Sequence, residues 1–459
     1  MKRCILFLAD GARPDVLQDE LKKGHLPNLA RYFAEKGVST SMVTAFPSTT
    51  GPAYLPYLTG LHPGPCNVPG IRWFDKDHYA KHGWGFKSFR SYVGLETMLL
   101  PSDLDPKVRT IFELSKNPVS ILNNIRRKFG KGVDKTSGMR IWYVYYAHLT
   151  DHWSFVDTAM TNKALAAIDD DFDFMFVVFP GIDEYSHRSS PFHSRARQAY
   201  KELDANVGKI IEKLQSKNMY EDTLLAIVAD HGLSETHTHF DIGPFLDSKG
   251  IKTFYYTNIF KFNFEAASMV SGNGMTHLYF KGKKGWEGRL FFEDLQEQGL
   301  LLDELRLRPE VDILACQGQD GSIHLLTERG HGAYKVNEGN LVYRWTHGEP
   351  LGIWANSQKE VALDLDASID ATFDSHYPDI FMQLYLLFQS PRCGDVIVSA
   401  KPGFDLREKY EHPEHKASHG SLCPEHMLVP LLLNKKLSFP PNRKHIRSMD
   451  VFSMIRDFI

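Results

Sequence analysis

Residues 223–232, TLLAIVADHG, decide the fold. An unbroken apolar run ends in Asp230-His231-Gly232, and the run shows no alternation of polar and apolar positions. That is the mark of a strand buried on both faces. The pattern recurs at residues 4–9 (CILFLA), which run into Asp10-Gly11, and at 173–180 (DFMFVVFP), which run into Gly181-Ile182-Asp183. Between the last two strands, residues 196–214 read as an amphipathic helix, with Tyr200, Leu203, Val207, Ile210, Ile211 and Leu214 at three- and four-residue spacing. Strands alternating with helices predict an α/β fold, with a mostly parallel central sheet and helices on both faces. Ligands of such sheets bind beyond the carboxyl ends of the strands, where Asp10, Asp183, Asp230 and His231 stand.

Working outward, residues 394–402 (GDVIVSAKP) and 427–433 (MLVPLLL) return to the core pattern, and 449–458 read as a closing helix. Residues 240–345 differ, being rich in Gly and aromatics with short alternating runs at 276–281 and 322–327. The expected organisation is therefore a catalytic core from 1–239 and 346–459 with an inserted α+β cap at 240–345. Residues 107–140 carry nine Lys/Arg against Glu113 and Asp134. Ile121, Leu122, Ile125 and Phe129 could line one face of a short helix bearing Arg126, Arg127 and Lys128. Such a segment reads either as a solvated basic face or as an attraction for an anionic substrate or lipid surface.

Composition narrows the class. The 459 residues carry 53 Lys+Arg against 56 Asp+Glu, and 42% are hydrophobic. That is ordinary globular usage, with a charge balance that gives no reason to expect a stable nucleic-acid partner. The five cysteines have no CxxC spacing and read as neither a disulfide framework nor a Cys-type zinc site. No apolar run approaches the roughly 20 residues of a membrane helix. The apolar run after Met1-Lys2-Arg3 is too short for a signal peptide. The expected location is cytoplasmic.

The polar strand ends carry the chemistry. Asp10, Asp183 and Asp230 supply three carboxylates, His187 (four residues after Asp183) and His231 supply imidazoles, and Thr50 in FPSTTGPAY supplies a hydroxyl. Each alone has a plain structural reading as cap, turn or loop residue. Together they are the donor inventory for divalent cations, and mixed O/N ligands suit Zn²⁺ or Mn²⁺. A Thr hydroxyl is a weak nucleophile that metal coordination can activate.

The order of these motifs, with a late His419-Gly420 after them, is similar to the alkaline phosphatase superfamily. It resembles most the type I phosphodiesterase/nucleotide pyrophosphatase branch. FPSTTGPAYLPYLTGLHPG (46–64) resembles the branch's nucleophile loop, YKELDANVGKIIEKL (200–214) its next helix, and KPGFDL (401–406) the segment before its last metal ligand. The resemblance implies two divalent ions, most simply Zn, with Mn an alternative. One would be held by Asp183, His187 and His419, the other by Asp10, Asp230, His231 and Thr50. It implies hydrolysis of a phosphoric ester through a phospho-threonine at Thr50, with a phosphodiester of a nucleotide or lipid headgroup as the expected small-molecule substrate. A phosphomonoesterase or phosphonate hydrolase with the same residues is the alternative. The branch carries Asn three residues after its nucleophile and this chain has Ala53, so the non-bridging oxygen is assigned to Gly51 and its neighbouring backbone N–H groups, Arg72 or Arg188. His237, His239 and His347 are weaker candidates for the last ligand, and His412, His415 and His426 read as surface or packing residues.

Overall fold

The three strands that end in acidic residues lie side by side in the computed structural model, which describes residues 1–256, 259–406, 414–437 and 442–459. Arg3–Ala9 is central, parallel to Thr223–Val228 on one side and to Phe174–Phe179 on the other. Leu8 is level with both Val228 and Val178, so all three strands end in the same row. Parallel pairing leaves no freedom here: the segments that leave the three strands must emerge at one edge of the sheet.

Pro118–Ile121 extends the sheet in parallel beyond Phe174–Phe179. Leu428–Leu433 pairs antiparallel with Thr223–Val228, and Val38–Val43 antiparallel with Leu428–Leu433. The result is a six-stranded, mostly parallel sheet with one reversed strand. Every residue of Phe174–Phe179 and Thr223–Val228 is buried, as strands covered on both faces must be. The expected helix is present as Ser194–Ser216 and buries all six of the apolar positions singled out for it. It packs against Trp153–Ala167, while Ser448–Phe458, the closing helix, packs against Leu55–Thr59.

A second, nine-stranded sheet runs from Thr253–Tyr255 at one edge to Glu360–Asp364 at the other and is antiparallel apart from its first pair. It does not stop at residue 345, the limit expected for the cap. Val396–Ala400, expected to return to the first sheet, instead lies near the centre of the second, between Met275–Phe280 and Val311–Gln317. Its residues are all buried, a pattern that both sheets share, so hydropathy alone did not distinguish them.

The basic segment forms no helix over 121–129. Pro118–Ile121 is a strand, and the chain then loops with Leu122 at φ 59° and Lys128 at φ 52°, conformations no α-helix contains. Arg127 is tied to the Asp105 and Pro106 carbonyls, and Lys128 pairs with Glu113.

A turn of the second sheet meets the segment that follows Ala417–Ser418. Gly274 N–H donates to the His419 carbonyl (2.7 Å) and His419 N–H to the Gly272 carbonyl (3.2 Å). Gly420 sits at φ 106°, and a Cβ there would lie 2.4 Å from the Ser271 carbonyl oxygen. Gly420→Ala is therefore expected to lower the unfolding free energy by about 1–3 kcal/mol, read by urea denaturation. Unchanged stability would mean that the turn does not constrain this segment.

Candidate functional site

Asp10 leaves its strand directly into Gly11, whose φ of 71° and close packing leave no room for a side chain. A Cβ there would lie 2.8 Å from Asp183 Cβ and 2.9 Å from Asp183 Cα. The Gly11 N–H in turn donates to Asp230 Oδ1 (3.3 Å). The first strand end is thus pressed between the other two. Asp183 and His187 are four residues apart on the helix Gly181–Arg188 and share a face, with His187 Nε2 3.3 Å from Asp183 Oδ1. His231 Nε2 lies 3.3 Å from Asp230 Oδ2 and 3.5 Å from Asp10 Oδ1.

Thr50 comes from the loop after Val38–Val43, with Oγ1 3.1 Å from His231 Nε2 and 3.4 Å from Asp10 Oδ1. Gly51, at φ 93°, turns the chain behind it. His419 reaches the site from nearly 190 residues further on because Ala417–Ser418 pairs with Ser234–His239, the strand that begins just after Asp230-His231. Its ring stacks on His231 at 3.7 Å between centroids and lies 5.2 Å from His187. All seven residues expected in the metal sites are therefore brought together.

The imidazoles share one orientation. His187 Nδ1 lies 2.7 Å from the Ala417 carbonyl, His419 Nδ1 3.0 Å from the Ser48 carbonyl and His231 Nδ1 3.1 Å from the Gly232 carbonyl. A carbonyl only accepts, so each Nδ1 carries a proton and each Nε2 is the ring nitrogen turned to the site, where it can bind a cation in place of a proton. Asp183 Oδ1 and Asp230 Oδ2 are buried with no hydrogen-bond partner. Among the described residues, the ion-pair partners of Asp10, Asp183 and Asp230 are histidines, with no Lys or Arg.

Burial, with the Asp230 and Asp183 carboxylates close by, pushes Asp10 well above the usual range. Burial also raises Asp230, against the pull of His231. Burial works against ionisation of Asp183 too, but His187, His231 and His419 draw it below its ordinary value. His187, although buried, is held up to about 9 by Asp183, while burial and His231 push His419 well below the ordinary imidazole value. Three buried carboxylates with imidazole lone pairs and orphaned oxygens fit cations. Two groups of donor atoms lie within ion-binding distance of one another: Asp183, His187 and His419, and Asp10, Asp183 and His231. Asp183 belongs to both.

Beside these residues lies a cavity of about 290 Å³, whose walls include Thr50, Arg72, Glu184, His187, His415 and His419. Arg72 reaches it, with its guanidinium over the Tyr256 ring and donating to the Val270 carbonyl. Arg188 does not: it pairs with Asp151 at 3.2 Å and donates to the His148 carbonyl.

His237 and His239 lie on the strand Ser234–His239, and His239 is bound to Asp405 and Glu414. His347 ends an outer strand of the second sheet and is exposed. His426 is buried between Ser234 and Ser421, a packing role. His415, expected at the surface or in packing, lies with its ring 4.3 Å from His187. His412 falls outside the described residues. Tyr54, whose hydroxyl donates to Asp10 Oδ2 at 3.0 Å, was missed, although it stands four residues after Thr50 in the same loop. His148 and Glu184 at the cavity were missed as well. Glu184 is raised to about 8 by burial and Asp183.

The sequence profile of type I phosphodiesterase/nucleotide pyrophosphatase matches residues 4–289. No curated protein sequence matches the chain at a significant level. Among solved structures, phosphonoacetate hydrolase from Sinorhizobium meliloti 1021 in complex with phosphonoacetate is 15% identical with a TM-score of 0.59, over 99% of this chain and 95% of that one. An inactive threonine-to-alanine variant of murine ectonucleotide pyrophosphatase/phosphodiesterase 5, in complex with AMP, is 11% identical with a TM-score of 0.59, over 100% and 95%. The human protein of that name is 13% identical with a TM-score of 0.58, over 99% and 94%. At these identities the likeness is one of fold.

A carboxylate whose pKa is raised by folding destabilises the fold increasingly as pH rises above its unfolded value. In chelator-treated protein, Asp10→Asn is expected to be more stable than the wild type by about 1 kcal/mol or more at pH 7, with the gap closing near pH 4. Thermal unfolding across that range reads it, and a gap independent of pH would contradict the assigned repulsion.

Proposed function

Because the chain belongs to the type I phosphodiesterase/nucleotide pyrophosphatase family, a family of phosphoric ester hydrolases, we propose that it hydrolyses a small-molecule phosphodiester with Thr50 as the attacking group. The observation that carries this reading is the position of Thr50. Its hydroxyl stands within 3.1 Å of His231 Nε2 and 3.4 Å of Asp10 Oδ1, on the wall of a cavity that also contains Asp183, His187 and His419.

We assign one divalent cation to Asp183, His187 and His419, and a second to Asp10, Asp230, His231 and the Thr50 oxygen. Zn²⁺ suits these donors best, and Mn²⁺ is compatible. Bound there, such cations supply Lewis-acid charge that lowers the hydroxyl pKa and neutralises phosphoryl oxygens.

The chain's own residues do the rest. The Thr50 oxygen attacks phosphorus as the bond to the leaving oxygen breaks, and the leaving group departs as an alcohol once protonated. Water then cleaves the phospho-threonine, releasing a phosphomonoester and restoring the hydroxyl. Tyr54 fixes the Asp10 carboxylate through its hydrogen bond, and Asp10 Oδ1, 3.4 Å from the Thr50 hydroxyl, is the carboxylate oxygen nearest its proton. Arg72 and the backbone N–H groups at Thr50-Gly51 are the groups proposed to hold the non-bridging oxygens. A nucleotide or lipid headgroup fits this chemistry, in keeping with AMP in the murine structure.

A second reading is hydrolysis of a phosphomonoester or phosphonate by the same residues. Arg72 on the cavity wall favours it, since a dianion wants an added positive charge. Phosphonoacetate in the bacterial structure is in keeping with it. A cytoplasmic location goes with either reading: all five cysteines are buried free thiols. Among the described residues no helix is long and apolar enough to cross a membrane.

On zinc-reconstituted protein, bis-p-nitrophenyl phosphate is expected to be cleaved faster than p-nitrophenyl phosphate; the reverse order would select the second reading. Thr50→Ala is expected to reduce kcat on the order of 10³-fold or more while zinc content stays near that of the wild type. A variant turning over at a near-normal rate would remove Thr50 from the mechanism.

A further inference from the structure

A second cavity, of about 380 Å³, adjoins the first, shares Thr50, Asn124, His148 and Glu184 with it, and has Asp10 on its wall. Its volume is in the range that holds a small organic group. The walls are mainly apolar, with Val93, Leu95, Met98, Val144 and Trp153 among them, but Asn124, Arg126 and Arg140 also line it. Those three come from the loop after Pro118–Ile121 and from the start of the helix Arg140–Thr150.

The two arginines are held loosely. Both approach one carboxylate, Asp134, at 3.7 Å from Arg126 and 3.9 Å from Arg140, beyond hydrogen-bond range. The Nε of each guanidinium is buried with no hydrogen-bond partner, and so is Asp134 Oδ2. Arg140 is 13% exposed at its side chain and Asp134 8%, so water does not compensate fully. Arg140 Nη1 donates to Asn124 Oδ1 at 2.9 Å and Nη2 reaches Thr136 Oγ1 at 3.5 Å, which leaves the Asn124 amide N–H groups as further donors. Burial first, and then the repulsion of Arg126, lower Arg140 to about 10, which leaves it charged at neutral pH. Two cations against one anion leave the polar end of the cavity with a surplus positive charge and unused planar donors. Such donors match a carboxylate or phosphate in a bidentate manner. A pair that only held the loop in place would be expected to close on Asp134 with direct hydrogen bonds.

We propose that this cavity is a substrate subsite in which Arg126, Arg140 and Asn124 receive an oxyanion carried on an apolar substituent of the scissile phosphate. The inference rests on Thr50 being the point of attack, because Thr50 lies on the wall of this cavity. It narrows the substrate class to phosphoric esters bearing a second negative group.

The test compares three diesters on the zinc-loaded full chain at fixed ionic strength: 4-nitrophenyl phenyl phosphate, its 4-carboxyphenyl analogue and its 4-phosphonophenyl analogue. One or both anionic compounds are expected to exceed the neutral one in kcat/KM by about tenfold or more, and which of them does so identifies the oxyanion. Arg126→Gln should bring that ratio close to one. Arg140→Gln should do the same, and if it fails to fold, the more exposed Arg126 carries the test alone. A wild-type ratio near one, or a ratio that survives Arg126→Gln, overturns the subsite. If no diester is turned over, the proposed reaction fails first; the ratio of dissociation constants on Thr50→Ala, by titration calorimetry, then decides the subsite separately.

Discussion

Three parallel strands ending in one row place three carboxylates in a space from which water is largely excluded. That is the constraint on which the rest of the site depends. Like charges so close and so buried repel, as the raised state of Asp10 and Asp230 records. Among the described residues no lysine or arginine pairs with them, only imidazoles turned so that their Nε2 atoms face the acids. Such an arrangement costs stability in the bare protein and becomes favourable when cations bind it. Gly11 shows how little slack exists, since its missing side chain is what lets the first strand end lie against Asp183.

The second sheet takes part in this constraint. Its turn at Gly272–Gly274 grips the backbone of His419, and Ala417–Ser418 is sewn to the strand that leaves Asp230-His231. The last histidine is thus positioned from two directions by segments far away in the chain. Val396–Ala400, near the centre of the second sheet, leads within a few residues to Gly403–Asp405, which pairs with that same strand. The second sheet is therefore tied to the candidate site through backbone pairing, and a change in it has a short path to His231 and His419.

Around the anionic centre the charges change sign with distance. Next to the carboxylates lie histidines, and beyond Thr50 lie arginines: Arg72 on one cavity, Arg126 and Arg140 on the other. Bound cations would make the centre attractive to a phosphoryl group, and the arginines extend that attraction along the substrate. The basic stretch noticed in the sequence therefore divides by role. Arg127 and Lys128 fasten the loop to its neighbours, while Arg126 and Arg140 face the cavity beside Thr50.

Legible in the sequence were the strands that end in acids, the long amphipathic helix and the seven polar residues that the fold brings together. Buried parallel strands have a hydropathy signature, and the residues at their ends are fixed by that register. It also singled out Thr50, because a hydroxyl in a Pro- and Gly-rich loop joined the other motifs in a recognisable order. Tertiary structure alone decided which sheet Val396–Ala400 enters, since burial looks the same in either. It decided that Arg72 reaches the cavity while Arg188 is spent on Asp151, because an arginine's reach depends on neighbours the chain order does not specify. It decided that residues 121–129 loop instead of coiling, through two left-handed residues that helical spacing does not reveal. Local pattern sets the elements and their ends, whereas long-range packing sets where each flexible charged side chain comes to rest.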